Sequence, residues 1–77
     1  MTFYDLAIGT VFEACESGIQ FIKLSQCPEK MTSRQIRMSL PNSYRLDNLH
    51  YCVCPPKLEV KIVKQITDYP GGTEYED

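Results

Sequence analysis

The residues best suited to chemistry form one short run of alternating His, Tyr, Cys, Val and Cys. If this run is a β-strand, His50, Cys52 and Cys54 lie on the same face, because side chains alternate along a strand. Imidazole and thiolate groups bind zinc, and Cys15 or Cys27 is available as a fourth ligand. The spacing is not that of a C-x₂-C zinc knuckle, and cysteine also packs as a small hydrophobic residue. We therefore expect core packing and no bound metal, with a zinc-stabilised interaction module as an alternative.

Catalytic groups are scarce elsewhere in the chain. A nucleophilic cysteine needs a neighbouring base, and His50 is the only histidine. No third orienting residue or oxyanion-binding loop is recognisable. The carboxylates lie on different predicted elements at positions that alternation turns outward: Glu13, Glu16, Asp47 and Glu59. The sequence therefore predicts a protein that is not an enzyme and that carries no cofactor.

A second group of residues has the composition of a binding surface. Basic residues recur between positions 30 and 45, and few acidic residues lie near them. Arginine and tyrosine are over-represented among binding hot spots, and methionine can serve as an apolar anchor. The predicted partner-binding residues are Lys30, Met31, Arg34, Arg37, Tyr44 and Arg45. Because aromatic residues beside basic ones also suit base stacking, a nucleic-acid or nucleotide-binding small barrel is an alternative.

Charge is distributed unevenly along the chain. Four acidic residues and no basic residue occupy positions 68–77, and removing them from the formal net charge of -2 leaves residues 1–67 at +2. This segment has turn-forming residues and no apolar period, so we predict a flexible, disordered acidic tail. A body of this size buries a small core, which makes association with a partner or with a second copy a reasonable expectation.

The first half of the body predicts a β-hairpin after an N-terminal turn. Phe3, Leu6 and Ile8 surround a polar Asp5, which suits a loose helical turn packed on the core. Residues 10–16 and 19–25 both alternate with a period of two, as strands do. Gly18 lies between them and can adopt the positive φ that a hairpin turn requires.

The second half predicts the remaining strands. Residues 26–34 read as a long loop, and residues 35–40 read as a third strand because Ile36, Met38 and Leu40 alternate with polar residues. A short extended piece at 44–49 and a strand at 50–54 follow, and a proline pair ends the latter. The last strand spans 58–66, with Leu58, Val60 and Ile62 inward. The Ile62-Val63 pair breaks its alternation and indicates a bulge.

Short strands with brief connections favour closure, which hides exposed sheet edges. The sequence predicts a mainly β protein, a small five-stranded antiparallel, partly open barrel with a short N-terminal turn or helical turn. The barrel domain spans residues 1–67 and the acidic tail spans 68–77.

Two observations bear on localisation. No apolar run approaches the 18 residues of a membrane span, and the first residues lack the basic and apolar regions of a signal peptide. We therefore expect a soluble, cytoplasmic protein with no membrane partner and with free thiols at its four cysteines.

The run Phe3-x-Asp5-Leu6-x-x-Gly9-Thr10-x-Phe12, followed by the strand at 19–24, resembles a widespread group of very short phage-encoded accessory proteins. In that group an F-x-D-L-x-x-G-x-x-F segment precedes a hairpin whose second strand ends in an apolar-Lys pair. The resemblance covers residues 3–25 and continues loosely through 42–46 and 60–66. It implies a small Src-homology-like (SH3-like) barrel and supplies no catalytic residue. The loop at 26–34 and the Cys52/Cys54 pair depart from the group's pattern.

The resemblance also implies a class of role. Phage proteins of this size generally act by stoichiometric binding, so it implies an inhibitor of a host enzyme or of an anti-phage defence protein in the host cytoplasm. The expected contact surface is an exposed barrel face together with the loop at 26–34.

Overall fold

A computed structural model describes residues 1–65 and has five strands, one α-helix and one 3-10 turn. In chain order the elements are the 3-10 turn Phe3–Asp5, β1 Thr10–Ala14, β2 Gln20–Lys23, α1 Ser33–Met38, β3 Ser43–Arg45, β4 His50–Cys52 and β5 Val60–Gln65. The predicted tail at 68–77 and the end of the predicted last strand lie outside the described residues.

The hairpin of β1 and β2 forms the centre of the sheet. Phe12 pairs with Phe21 in its register, so both rings lie on one face. Gly18 in the connecting turn has φ +74°, and its N–H donates to the Ala14 carbonyl at 2.8 Å. Glycine adopts this left-handed conformation without a Cβ clash. The predicted hairpin and the role of its glycine are confirmed.

All strand pairs are antiparallel, and the strand order is β4-β3-β2-β1-β5. Within residues 1–65 the sheet does not close, because β4 and β5 each pair on one side only. The prediction of a mainly β fold with a five-stranded antiparallel, partly open sheet is confirmed.

The N-terminal turn is held to the sheet end by its backbone. The Asp5 carboxylate accepts hydrogen bonds from the Thr2 N–H at 2.9 Å and the Thr2 hydroxyl at 3.0 Å. These bonds hold the pKa of Asp5 below its usual value. The Phe3 N–H then donates to the Leu58 carbonyl at 2.9 Å. The turn is therefore tied to the segment that leads into β5.

A lysine lies in the interior beneath this turn. The Lys23 side chain is 1% exposed, and its Nζ donates to the carbonyls of Phe3 at 2.9 Å and Leu6 at 2.7 Å. It also donates to Gln26 Oε1 at 2.7 Å and lies 4.6 Å from the centroid of the Phe3 ring. Burial lowers the pKa of Lys23. The ammonium group thereby connects the end of β2 to the N-terminal turn.

Three phenylalanine rings form the centre of the core. The Phe12 ring lies 5.4 Å from the Phe3 ring and 5.3 Å from the Phe21 ring, centroid to centroid. The smaller buried residues packed with them are Leu6, Ala14, Cys27, Cys54 and Val60. Ile8, predicted to face this core, is 54% exposed, so its assignment was wrong. The chain turns at Gly9, just beyond it, with φ 93°.

The predicted third strand at 35–40 is wrong, because residues Ser33–Met38 form helix α1. Thr32 and Gln35 form a capping box, in which each side chain accepts a hydrogen bond from the other residue's N–H, at 3.1 and 2.8 Å. The apolar period of two does not mark a buried face, since Met38 is 74% and Leu40 87% exposed. Helix α1 also shortens the predicted loop, which ends at Thr32.

The predicted bulge in the last strand is confirmed. Val11 pairs with Lys64 whereas Phe12 pairs with Ile62, so Val63 is the extra residue in β5. Val60 is buried as predicted. Ile62 pairs with Phe12 and so lies on the same face of the sheet as that residue, but it is 42% exposed because β5 is an edge strand. Its predicted direction agrees with the register, whereas it is not part of the buried core.

Candidate functional site

A groove lies between the loop before α1 and the proline pair that precedes β5. It has a volume of about 220 Å³ and is lined by Lys30, Met31, Ile36, Pro55, Pro56 and Lys57. Its apolar lining comes from a methionine, an isoleucine and two prolines, and its charge comes from the two lysines. We call these six residues the lysine groove. Two of the predicted binding residues, Lys30 and Met31, lie in it.

Helix α1 extends the positive charge beyond the groove. Arg34 and Arg37 are exposed and three positions apart, which places their side chains on neighbouring parts of the helix surface. No residue of α1 is buried, and Ile36 provides a half-buried contact. The helix therefore presents most of its surface to solvent, as a contact surface does.

The exposed cations here have no intramolecular partners within residues 1–65. In this part of the chain the side-chain ion pairs use Arg45 and Lys61 as their cations. The cations left outside these pairs include both lysines of the groove and both arginines of α1: Lys30, Arg34, Arg37 and Lys57. Within this part of the chain, therefore, no ion pair neutralises their charge.

The remaining two predicted binding residues lie elsewhere. Tyr44 and Arg45 are consecutive in β3 and so point to opposite faces of the sheet. The Tyr44 ring packs against the ring of Tyr51 on β4, with centroids 4.9 Å apart. Neither residue lines the lysine groove, so the predicted set does not form one continuous site.

Arg45 is engaged by Asp47. Its Nε and one terminal nitrogen donate to the two carboxylate oxygens at 2.6 and 3.0 Å. These hydrogen bonds raise the pKa of Arg45 and lower that of Asp47. A guanidinium held in this two-pronged pair is less available to an external ligand than the free arginines of α1.

The His50, Cys52 and Cys54 side chains do not form a site together. His50 is exposed, whereas Cys54 is buried, with its Sγ 3.2 Å from the Ser43 hydroxyl. Across residues 1–65, no three His, Cys, Asp or Glu side chains lie close enough to share a metal ion. The prediction that Cys54 shares a face with His50 and Cys52 was wrong, because β4 ends at Cys52 and side chains no longer alternate beyond it.

The four cysteines carry free thiols in different environments, and their labelling rates should differ. Burial raises the pKa of both Cys27 and Cys54, so both thiolate formation and access are suppressed. We expect iodoacetamide to label exposed Cys15 first and Cys27 and Cys54 at least about tenfold more slowly. Peptide mass spectrometry of a native time course measures these rates.

Labelling in urea is the control for these thiol environments, because unfolding should make the four rates similar. Equal labelling of Cys15 and Cys54 in the native protein would contradict the burial of Cys54.

Sequence reasoning missed the second wall of the groove, formed by Pro55, Pro56 and Lys57. The proline pair was read only as the end of a strand. A rigid Pro-Pro segment followed by a lysine was the available signal, since proline has no N–H for the sheet and fixes the backbone. Its partner residues lie 19 to 27 positions earlier, so local pattern did not reveal the pairing.

Within residues 1–65 no helix has the length and apolar character needed to cross a membrane. The sequence matches no protein-family model, and its comparison with curated proteins and with solved structures gives no significant match.

Proposed function

We propose that this chain is a non-enzymatic binding protein that acts by stoichiometric protein–protein association. The observation that carries the proposal is a surface with four exposed cations beside an apolar groove, and these cations form no ion pair within residues 1–65. Exposed Met38 and Leu40 add apolar area next to this surface. Apolar residues with arginines at their border are typical of binding hot spots.

The resemblance to phage accessory proteins supplies the class of partner. On that basis the target is a host protein or an anti-phage defence protein, and binding inhibits it. A protein partner suits the surface better than nucleic acid does, because none of the six groove residues is aromatic. Half-buried Tyr44 and exposed Tyr51 form a pair on β3 and β4 instead.

Affinity capture from a nuclease-treated bacterial lysate tests this function. The wild-type chain should recover a protein partner at near-equimolar yield. Arg34→Glu/Arg37→Glu should reduce that yield at least about tenfold, since reversing two interfacial charges replaces attraction with repulsion. Mass spectrometry identifies and quantifies the partner.

The matched control is Lys61→Glu/Lys64→Glu, which makes the same change in net charge on β5. It should retain the partner. Failure to recover any protein at stoichiometric yield, or equal loss in both variants, would reject binding through α1. A partner that is recovered from an untreated lysate but not from the nuclease-treated one would favour the nucleic-acid alternative.

A further inference from the structure

We infer that the lysine groove binds an acidic peptide segment of a protein partner, with an apolar side chain of that segment seated between Lys30 and Lys57. This inference rests on the proposed function and assigns the chemistry of the partner. It follows from the size of the groove, from its hydrogen-bonding groups and from its charge.

The size of the groove favours a peptide side chain. At about 220 Å³ it is smaller than the roughly 300–1,000 Å³ of typical small-molecule sites. One or two side chains would fill it, whereas a cofactor would not fit. Met31 and Ile36 supply apolar contacts, and methionine adapts its shape to the group it contacts.

The two prolines of the groove offer little polar recognition through their backbone. Pro55 and Pro56 have no N–H groups, and both carbonyls already accept hydrogen bonds within the chain. The Leu58 N–H donates to Pro55 at 3.2 Å and the Tyr4 N–H donates to Pro56 at 3.0 Å. Among the side chains that line the groove, the polar groups are the ammonium groups of Lys30 and Lys57, which are donors with a positive charge and accept no hydrogen bonds.

The charges around the groove indicate that the ligand is anionic and on which side of the groove it continues. Lys30 and Lys57 form no ion pair within residues 1–65, and the arginines of α1 continue the positive surface. On the other side of Lys57 a neighbouring depression is lined by Asp5, Glu29 and Glu59, which would repel an anionic chain. An acidic segment should therefore run from the groove toward α1.

A peptide titration of the full-length protein tests the assignment. The probe is a terminally blocked hexapeptide with a central Leu-Phe pair and two glutamates on each side, and the matched peptide carries glutamines instead. Methyl signals of Met31 and Ile36 in the NMR spectrum report on the groove. We expect the glutamate peptide to shift these signals and to bind at least about tenfold more tightly than the glutamine peptide.

Variants locate the binding. Lys30→Glu/Lys57→Glu should weaken binding of the glutamate peptide at least about tenfold, whereas Lys61→Glu/Lys64→Glu, with the same net charge, should change it less than about threefold. No shift at Met31 or Ile36, equal binding of the two peptides, or equal weakening by the two variants would overturn the assignment.

The chain's own acidic segment is the competing occupant. A full-length variant with Asp68→Asn, Glu74→Gln, Glu76→Gln and Asp77→Asn removes its charges. If this variant binds the glutamate peptide more than about tenfold tighter than wild type, the chain's own acidic segment competes for the groove. The assignment to a separate partner then fails. Unchanged affinity supports a separate partner.

The two proposals can fail separately. Loss of peptide binding with partner capture intact rejects the groove assignment and leaves the proposed function in place. Peptide binding without any captured protein rejects the proposed function in the lysate tested and leaves the chemistry of the groove established.

Discussion

Replacing Lys23 with methionine is expected to lower the free energy of unfolding by about 2–5 kcal/mol. The ammonium group donates to the backbone carbonyls of Phe3 and Leu6 and to the side chain of Gln26, all within 2.9 Å. Methionine has nearly the same length but no donor, so the buried carbonyls of Phe3 and Leu6 would lose their partner. Hydrogen bonds to a charged group contribute more than neutral ones, and unsatisfied buried acceptors are costly.

This loss is comparable with the whole stability expected of a core this small, which is roughly 3–5 kcal/mol. The Lys23→Met variant should therefore be largely unfolded at 25 °C or have a much lower denaturation midpoint. Urea titration followed by far-UV circular dichroism measures the difference. Hydrogen exchange in the N-terminal turn should rise even where some native protein remains.

Lys64→Met is the matched control, because Lys64 is exposed on β5. It should change the free energy of unfolding by less than about 0.5 kcal/mol. Lys23→Arg should also destabilise the protein, since a planar guanidinium does not match a site shaped for a compact ammonium. A Lys23→Met variant as stable as wild type would show that the buried bonds contribute nothing net.

Local patterns predicted the central hairpin because its determinants are local. Alternation in β1 and β2 and a single glycine between them specify both strands and the turn, and the register follows. The same alternation placed Lys23 on the face of Phe21. Its burial was not predicted, because charged residues are rarely buried and its acceptors are backbone atoms about 20 positions away.

Helix α1 shows how a period can mislead in a short segment. Ile36, Met38 and Leu40 alternate as in a strand, yet the latter two are exposed. Thr32 and Gln35 are spaced as a capping box, which was visible in the sequence and indicates a helix start. In a six-residue segment with no buried side chain, the capping box at the first turn indicates a helix more reliably than the apolar period indicates a strand.

The candidate site was predictable in part. Lys30 and Met31 line the groove. They were predictable because a basic residue beside an apolar one in a long loop suits binding. Their opposite wall comes from residues 55–57, and the sequence contains no local signal that brings these two segments together. Tyr44 and Arg45 were grouped with the site by proximity along the chain, whereas the strand sends them to opposite faces.

Phe12→Ala is the second substitution with a large expected effect, a loss of about 3–5 kcal/mol in the free energy of unfolding. The Phe12 side chain is fully buried and lies between the rings of Phe3 and Phe21. Alanine would leave a cavity at the centre of the core, and both neighbouring rings would lose contacts. The N-terminal turn would also lose one of its contacts with the sheet, because Phe3 packs on Phe12.

For a domain of this size, each 1 kcal/mol shifts the melting temperature by roughly 4–8 °C. The Phe12→Ala variant should therefore melt more than about 12 °C below wild type in a thermal scan. Ile8→Ala is the control within the same N-terminal segment, and its loss should stay below about 1 kcal/mol because Ile8 is largely exposed. Equal losses at the two positions would mean that the segment contributes by its backbone alone, whereas retained stability in Phe12→Ala would contradict a core built around this ring.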